Sequence, residues 1–301
     1  MPDSSDAVTV IIPTRAEADR AGLLMRAIDS VHGQRGVTTI PLIVVNGDVC
    51  DAPLVAALHR DARIRIVTTP AADLPGALRL GRSHVDTAFF TALDDDDVLM
   101  PTALRVRRDA LADRSDHVAV VTNGWRRDAQ GDTLHMPSFD AVRRDPLRTL
   151  LDRNWLLPGA WLARTEALED ELFASMPRYL ECTYLAVCLA TTHRTCFLDE
   201  PTVAWSVDTP GSLSKSRAYL LGLEAGLQRI LELDLPDDVH RGFRKKLARA
   251  QRTAAILLFK EGDRRAAWGT YLRSLRGPAS WSFRGLTLRL LLTMTWGGFV
   301  S

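Results

Sequence analysis

Ala88-Phe89-Phe90-Thr91-Ala92-Leu93-Asp94-Asp95-Asp96-Asp97 is the stretch whose reading decides the fold. Its first six residues form a short, mostly apolar run of strand character, and four adjacent carboxylates follow without a break. Like charges 4 Å apart repel by about 4 kcal/mol at the effective dielectric of a protein surface, so a strand ending in such a run calls for a cation. Aspartate oxygens are hard ligands, which makes Mg²⁺ or Mn²⁺ the natural guest. Because side chains alternate along an extended segment, Asp94 and Asp96 share one side. A solvated acidic turn without a ligand is the competing reading.

The flanking sequence repeats one alternation. Val8-Thr9-Val10-Ile11-Ile12 is rich in β-branched residues, as a strand buried on both faces is. Leu23, Leu24, Ala27, Ile28 and Val31 then fall on one helical stripe. Leu42 to Val45 reads as a strand, Pro53 to Arg60 as a helix and Ile64 to Val67 as a short strand. A helix from Leu74 to His84 leads into the Ala88 strand, and a helix over Pro101 to Ala112 precedes the strand Val118 to Thr122. This alternation predicts an α/β fold, a mostly parallel sheet with helices on both faces. Ligands in such sheets bind beyond the carboxyl ends of the strands. Thr14-Arg15, Asn46-Gly47-Asp48 and the aspartate run all fall there.

From Trp125 to Ser216 the pattern changes to tryptophans at 125, 155, 161 and 205 among prolines, glycines and short apolar runs. This predicts a second half laid against the first sheet. Ala218 to Leu233, Val239 to Lys260 and Arg264 to Leu275 read as helices, giving three regions, 1–125, 126–216 and 217–301. Phe283 to Leu292 is an apolar helix with Arg284 and Arg289 on it and Trp296 nearby. It reads equally well as a cap on the domain and as a peripheral membrane or dimer contact.

Composition narrows the class. The chain has 301 residues, 46% of them hydrophobic, enough for a full core. Lys+Arg 38 against Asp+Glu 37 leaves no overall field to draw nucleic acid. Cys50, Cys182, Cys188 and Cys196 lack CxxC spacing, which fits reduced thiols. The N-terminus has no basic and apolar signal pattern, and no apolar run reaches spanning length. The expectation is a cytoplasmic protein. His84, His117, His135, His193 and His240 show no metal-ligand spacing. Trp155 and Trp161 flank Leu156-Leu157-Pro158-Gly159-Ala160 and could form a stacking floor for an acceptor sugar, with core packing the alternative.

Several segments, in this order, resemble the family-2 glycosyltransferases. Val10-Ile11-Ile12-Pro13-Thr14 is similar to that family's opening strand and Pro-Thr turn. Leu93-Asp94-Asp95-Asp96-Asp97-Val98-Leu99-Met100-Pro101 is similar to its metal-binding DxD segment, trailing proline included. Ala77-Leu78-Arg79-Leu80-Gly81 sits at its A-R-N-x-G spacing, and Leu198 to Ala204 resembles the strand that closes its acceptor half. Ser212-Leu213-Ser214 is similar to the serine pair that follows. The resemblance covers the first 215 residues.

The resemblance implies a GT-A fold: a mostly parallel, Rossmann-like sheet, with 1–125 binding the donor, 126–216 the acceptor, and a C-terminal helical region. It implies inverting transfer of a sugar from a nucleoside diphosphate, UDP being the commonest, to a hydroxyl of a glycan, lipid-linked glycan or other glycoconjugate. Asp96 with Asp94 would hold Mn²⁺ or Mg²⁺, while Asp95 and Asp97 lie beside the donor. Pro13, Thr14, Arg15, Glu17 and Asn46 fall where the family holds base and ribose, and Arg79 could pair with the diphosphate.

Three positions depart from the family pattern. Asn46 and Leu78 stand where aspartate and arginine are common, and Glu181-Cys182 replaces the Glu-Asp pair that carries the general base. Glu181 is the first candidate for that base and Asp208 the second; a residue favoured by the dipole at a helix start is the other reading of Glu181. A nucleotidyltransferase is a further alternative, although Ile12-Pro13-Thr14-Arg15-Ala16-Glu17 lacks its glycine-rich basic signature. A nucleotide-sugar-binding protein without turnover is the last.

Overall fold

The computed structural model describes residues 7–209 and 216–276. They divide between two compact units, Met1–Ser212 and Leu213–Ser301.

The first unit alternates strand and helix as its apolar runs dictate. β1 (Val8–Thr14) is buried along its whole length. α1 (Ala21–His32) buries Leu24, Ala27, Ile28 and Val31, the stripe read from spacing. β2 (Thr39–Asn46), α2 (Ala52–Arg60), β3 (Arg65–Thr69), α3 (Leu74–Ser83) and β4 (Phe89–Ala92) follow. Asp51 and Asp73 cap α2 and α3 by accepting from the N–H groups of Leu54 at 2.7 Å and Gly76 at 2.9 Å. Each cap is followed by a proline in the first turn, where its missing N–H costs nothing. Next come β5 (Val98–Leu99), α4 (Ala103–Ala112), β6 (Ala119–Asp128), β7 (Gly131–Leu134), α5 (Asp140–Arg144) and α6 (Pro146–Asp152). β8 (Trp161–Arg164), α7 (Asp170–Ala174), α8 (Glu181–Thr192) and β9 (Thr195–Ser206) complete the unit.

The nine strands among the described residues join one sheet in the order β3-β2-β1-β4-β8-β6-β9-β5, with β7 hairpinned to β6. β3, β2, β1 and β4 are parallel, as are β6 and β9, while β8 enters antiparallel between β4 and β6. The second half is therefore not a layer laid against the first sheet but a continuation of it. The composition change at Trp125 falls inside β6, where the strand leaves the core and pairs with β7. Arg107 of α4, fully buried, ties this continuation together: its guanidinium donates to Thr122 of β6, Thr202 of β9 and the Trp161 carbonyl of β8. Burial lowers its pKa to about 9.

Gly81 lets α3 lie directly on the sheet, since a Cβ there would stand 2.4 Å from Ile11 Cγ2. Gly159, at φ 68°, brings its N–H within 2.9 Å of the Ala92 carbonyl at the end of β4.

In the second unit, α9 (Arg217–Leu231), α10 (Asp237–Lys260) and α11 (Arg264–Ser274) occupy the stretches predicted helical. Ala255 and Tyr271 centre a small core there, with Phe259 and Trp268 against it. Ser212-Leu213-Ser214 and the apolar segment 283–292 lie outside the described residues. No helix among the described residues is long and apolar enough to cross a membrane.

Candidate active site

The acidic run begins where β4 leaves the parallel sheet. The Leu93 N–H still bonds to the Ile11 carbonyl at 2.9 Å, so Asp94 emerges at the carboxyl end of the strands. Burial then alternates: Asp94 and Asp96 are half-buried, Asp95 and Asp97 buried. A turn closed by Asp97 N–H on the Asp94 carbonyl at 3.2 Å folds the run back on itself. Asp94, Asp96 and Asp97 thereby bring one carboxylate oxygen each within 4.8 Å of the others.

Asp95 points elsewhere. It accepts from the Thr14 hydroxyl at 2.7 Å and from the Arg20 guanidinium, which also lies 3.4 Å from Asp96. Burial would lower the Arg20 pKa, but Asp95 and Asp96 outweigh it and hold the group cationic. Asp97 is wholly buried; its Oδ1 accepts from the Ser206 N–H at 2.8 Å, and its Oδ2 has no hydrogen-bond partner among the described residues. The Ser206 hydroxyl donates to the Asp96 carbonyl at 2.9 Å.

Desolvation first, then Asp96, Asp95 and Glu181, push the Asp94 carboxyl up to about 8 against the pull of Arg20. Burial, Asp94 and Asp96 push Asp97 well above the carboxylate range. Three hard oxygens this close, one buried and unpartnered, fit a divalent cation.

Glu181 opens α8 on the same side. Tyr179 precedes it at φ 73°, a strained conformation for a bulky residue, held by its N–H on Glu181 Oε1 at 2.9 Å and by Arg178 stacked 5.1 Å from its ring. Burial raises the Glu181 pKa, backbone N–H groups oppose that, and Asp73 adds to it. Burial, Asp94, Glu181 and Asp97 raise the Cys182 thiol far above its ordinary value, which keeps it protonated and removes it as a nucleophile.

On the other side of the run, buried Pro13 and Thr14 end β1, and the Asn46 side chain donates to the Thr14 carbonyl at 3.2 Å. Arg15, exposed, pairs with Glu17 at 2.9 Å across Ala16 in the left-handed region at φ 50°. Arg79 is exposed on α3 and makes no hydrogen bond or ion pair among the described residues, while Leu78 beside it is buried. The structure thus gathers Thr14, Asn46, the four aspartates and Glu181 at one end of the sheet.

Other predicted residues lie apart. Trp155 is fully buried, its Nε1 donating to the Pro146 carbonyl at 2.8 Å and its ring edge-on to Phe197. Trp161 is 3% exposed and packs on Phe90. Neither offers a face to a sugar, so the expected stacking floor is not theirs. Asp208 is exposed and accepts from the Ala129 N–H at 3.4 Å at the β6–β7 turn. A cavity of about 370 Å³ lined by Arg114, Arg143 and His193 opens at the start of β9 and touches none of the predicted site residues.

Sequence reasoning missed Arg20 and Ser206. The demand of the aspartate run for a cation was a signal for Arg20; Ser206 left none.

The family model for glycosyl transferase family 2 matches residues 9–169, more than half of the chain. The chain belongs to that family. No curated protein sequence matches this glycosyltransferase. Its fold is similar to that of S. aureus TarS residues 1-349 crystallised with UDP-GlcNAc, at TM-score 0.55 and 15% identity over 89% of this chain and 79% of that one. A second crystal structure of S. aureus TarS 1-349 aligns at TM-score 0.53 and 14% identity, covering 89% and 80%. The complex of TarS 1-349 with UDP gives 0.50 and 15%, covering 82% and 71%. The sheet of this glycosyltransferase is accordingly of GT-A type.

Proposed function

We propose that this glycosyltransferase moves a sugar from a nucleoside diphosphate to an acceptor hydroxyl with inversion, in a site that takes a divalent cation. The observation that carries the reading is the convergence of Asp94, Asp96 and Asp97 within 4.8 Å, with Asp97 Oδ2 buried and unpartnered. Those three residues would hold Mg²⁺ or Mn²⁺; the chemistry such an ion supplies when bound is Lewis-acid stabilisation of charge on the departing diphosphate.

The remaining roles follow from position. Asp95, engaged by Thr14 and Arg20, fixes the loop rather than ligating. Thr14 and Asn46 form the wall for base and ribose, with Arg15 and Glu17 at its rim. Arg79 is free to turn toward the diphosphate. Glu181, raised by burial and held by the Tyr179 N–H, takes the proton of the attacking hydroxyl; Asp208 is second in line. Residues 1–125 serve the donor and 126–216 the acceptor, while 217–301 stand outside the chemistry. The acceptor is a hydroxyl of a glycan, lipid-linked glycan or other glycoconjugate, met at the cytoplasmic side. UDP is the favoured nucleotide because the similar TarS structures hold UDP-GlcNAc and UDP. Family membership decides against a nucleotidyltransferase.

Calorimetric titration with UDP, GDP, CDP and dTDP, each with and without Mn²⁺, tests the reading. Metal-dependent binding of one diphosphate supports it, and no binding of any sinks it. Binding without turnover on any acceptor would favour the non-catalytic alternative, which Cys182 in place of an aspartate keeps open.

A further inference from the structure

The near-zero net charge of the chain conceals a division. Residues 1–212 carry 22 Lys+Arg against 30 Asp+Glu, a net of −8, whereas residues 213–301 carry 16 against 7, a net of +9. Within the second unit the cations fall into two groups. Arg217 pairs with Glu261 at 2.8 Å, Arg273 with Glu224 at 2.8 Å, and Arg229 with Glu232. Arg241, Lys245 and Arg249 form no ion pair among the described residues.

These three recur at four-residue spacing on α10, so they stand on one stripe about 12 Å long. All are exposed, and none has an ion-pair partner among the described residues. Three like charges aligned on one helix face repel each other, and an anionic surface relieves that. Arg244, also exposed, extends the patch by donating to the Arg276 carbonyl at 3.3 Å. That contact joins α10 to the end of α11, where Leu272 is 55% and Leu275 37% exposed. From Arg276 the chain continues for 25 residues that include Trp281, Phe283, Trp296 and Phe299, two arginines and no acid.

We infer that this face of the helical unit docks on an anionic lipid bilayer, its basic stripe over the headgroups and its leucines at the interface. A soluble polyanion would satisfy the stripe but not the leucines, and a neutral bilayer the leucines but not the stripe. The surface lies within the second unit and involves no residue of the acidic site.

Co-sedimentation of the full chain with phosphatidylcholine vesicles, with and without phosphatidylglycerol, tests the inference. Binding should need phosphatidylglycerol and be lost at about 1 M salt, where the Debye length is about 3 Å. Replacing Arg241, Lys245 and Arg249 together with alanine should weaken binding about a hundredfold, at roughly fivefold per charge. Circular dichroism and sugar transfer to a soluble acceptor should be unchanged in that variant. Leu272→Ser with Leu275→Ser should weaken vesicle binding but not binding of polyphosphate. Equal binding to both vesicle types, full vesicle binding by the triple variant, or binding of polyphosphate with no binding of either vesicle type would each overturn the assignment. The vesicle, polyphosphate and circular-dichroism readouts do not depend on the transferase reading, so the two stand or fall separately.

Discussion

The backbone N–H of Ser206 donates a 2.8 Å hydrogen bond to Asp97, fixing the last carboxylate of a run that lies 109 positions earlier. The acidic run therefore has two independent supports. Thr14 at the end of β1 and Arg20 just ahead of α1 hold its second aspartate, and the end of β9 holds its fourth.

Asp96 is half-buried and bonds to no core group, so Asp96→Ala removes a ligand without opening a cavity. Mn²⁺-dependent binding of the nucleoside diphosphate should fall more than tenfold, about 1.4 kcal/mol, with the melting temperature held or raised by relief of repulsion. Wild-type affinity in calorimetry would remove Asp96 from the metal set.

Glu181→Gln preserves shape and removes the proton acceptor. Donor binding should persist while transfer drops by about 10²- to 10⁴-fold, the usual range for a general base. Full activity would pass the role to Asp208.

The pH dependence has a defined sign. In the metal-free protein Asp94 titrates at about 8, above its unfolded value. The folded state then keeps a proton that the unfolded chain has released. This contribution to stability is full below about pH 4 and is lost as pH rises through the folded value. With EDTA present, the melting temperature of the wild type should fall relative to Asp94→Asn across that window, while Mn²⁺ affinity rises over it. Parallel melting curves for the two proteins would contradict the assignment.

Burial first, then Asp94, Glu181 and Asp97 around it, raise the Cys182 thiol well above its ordinary value. Iodoacetamide at neutral pH should alkylate exposed Cys50 and spare Cys182, as read by peptide mass spectrometry. Cys182→Ser should leave transfer within a few-fold of wild type. Rapid labelling of Cys182 would mean that the carboxylates do not surround it.

Gly81→Ala places a methyl 2.4 Å from Ile11 Cγ2 and 3.2 Å from Val44 Cγ2. Neither neighbour is a flexible chain end, so the variant should lose about 1–3 kcal/mol in denaturant unfolding. Unchanged stability would show that α3 can lift from the sheet.

The parallel half of the sheet was legible because strands buried on both faces leave apolar runs such as Val10-Ile11-Ile12 and Leu42-Ile43-Val44-Val45. The aspartate run announced its own need for a cation. What stayed hidden depends on long-range partners. Nothing local shows which nearby arginine answers that need, and Ser206 acts through a backbone N–H and a hydroxyl that no motif singles out. Trp155 and Trp161 misled for a related reason. An indole can be buried whole when one carbonyl takes its N–H, and Pro146 supplying that carbonyl to Trp155 is a fact of packing, not of composition. The antiparallel entry of β8 likewise rests on long-range pairing, and the Arg107 guanidinium beside it bonds to acceptors on three strands.

The family match stops at residue 169, yet β9 spans Thr195–Ser206 and lies between β6 and β5 in the sheet. A fragment ending where the match ends would strip β5 of its hydrogen-bonded neighbour, turn β6 into an open edge and cost Asp97 its Ser206 partner. The sheet is thus not divisible at the border of the family match in this protein. Chimeras that exchange this part of the fold need their junction after Ser206, and a graft cut at the sequence-defined border would arrive with a frayed sheet and an unmoored aspartate loop.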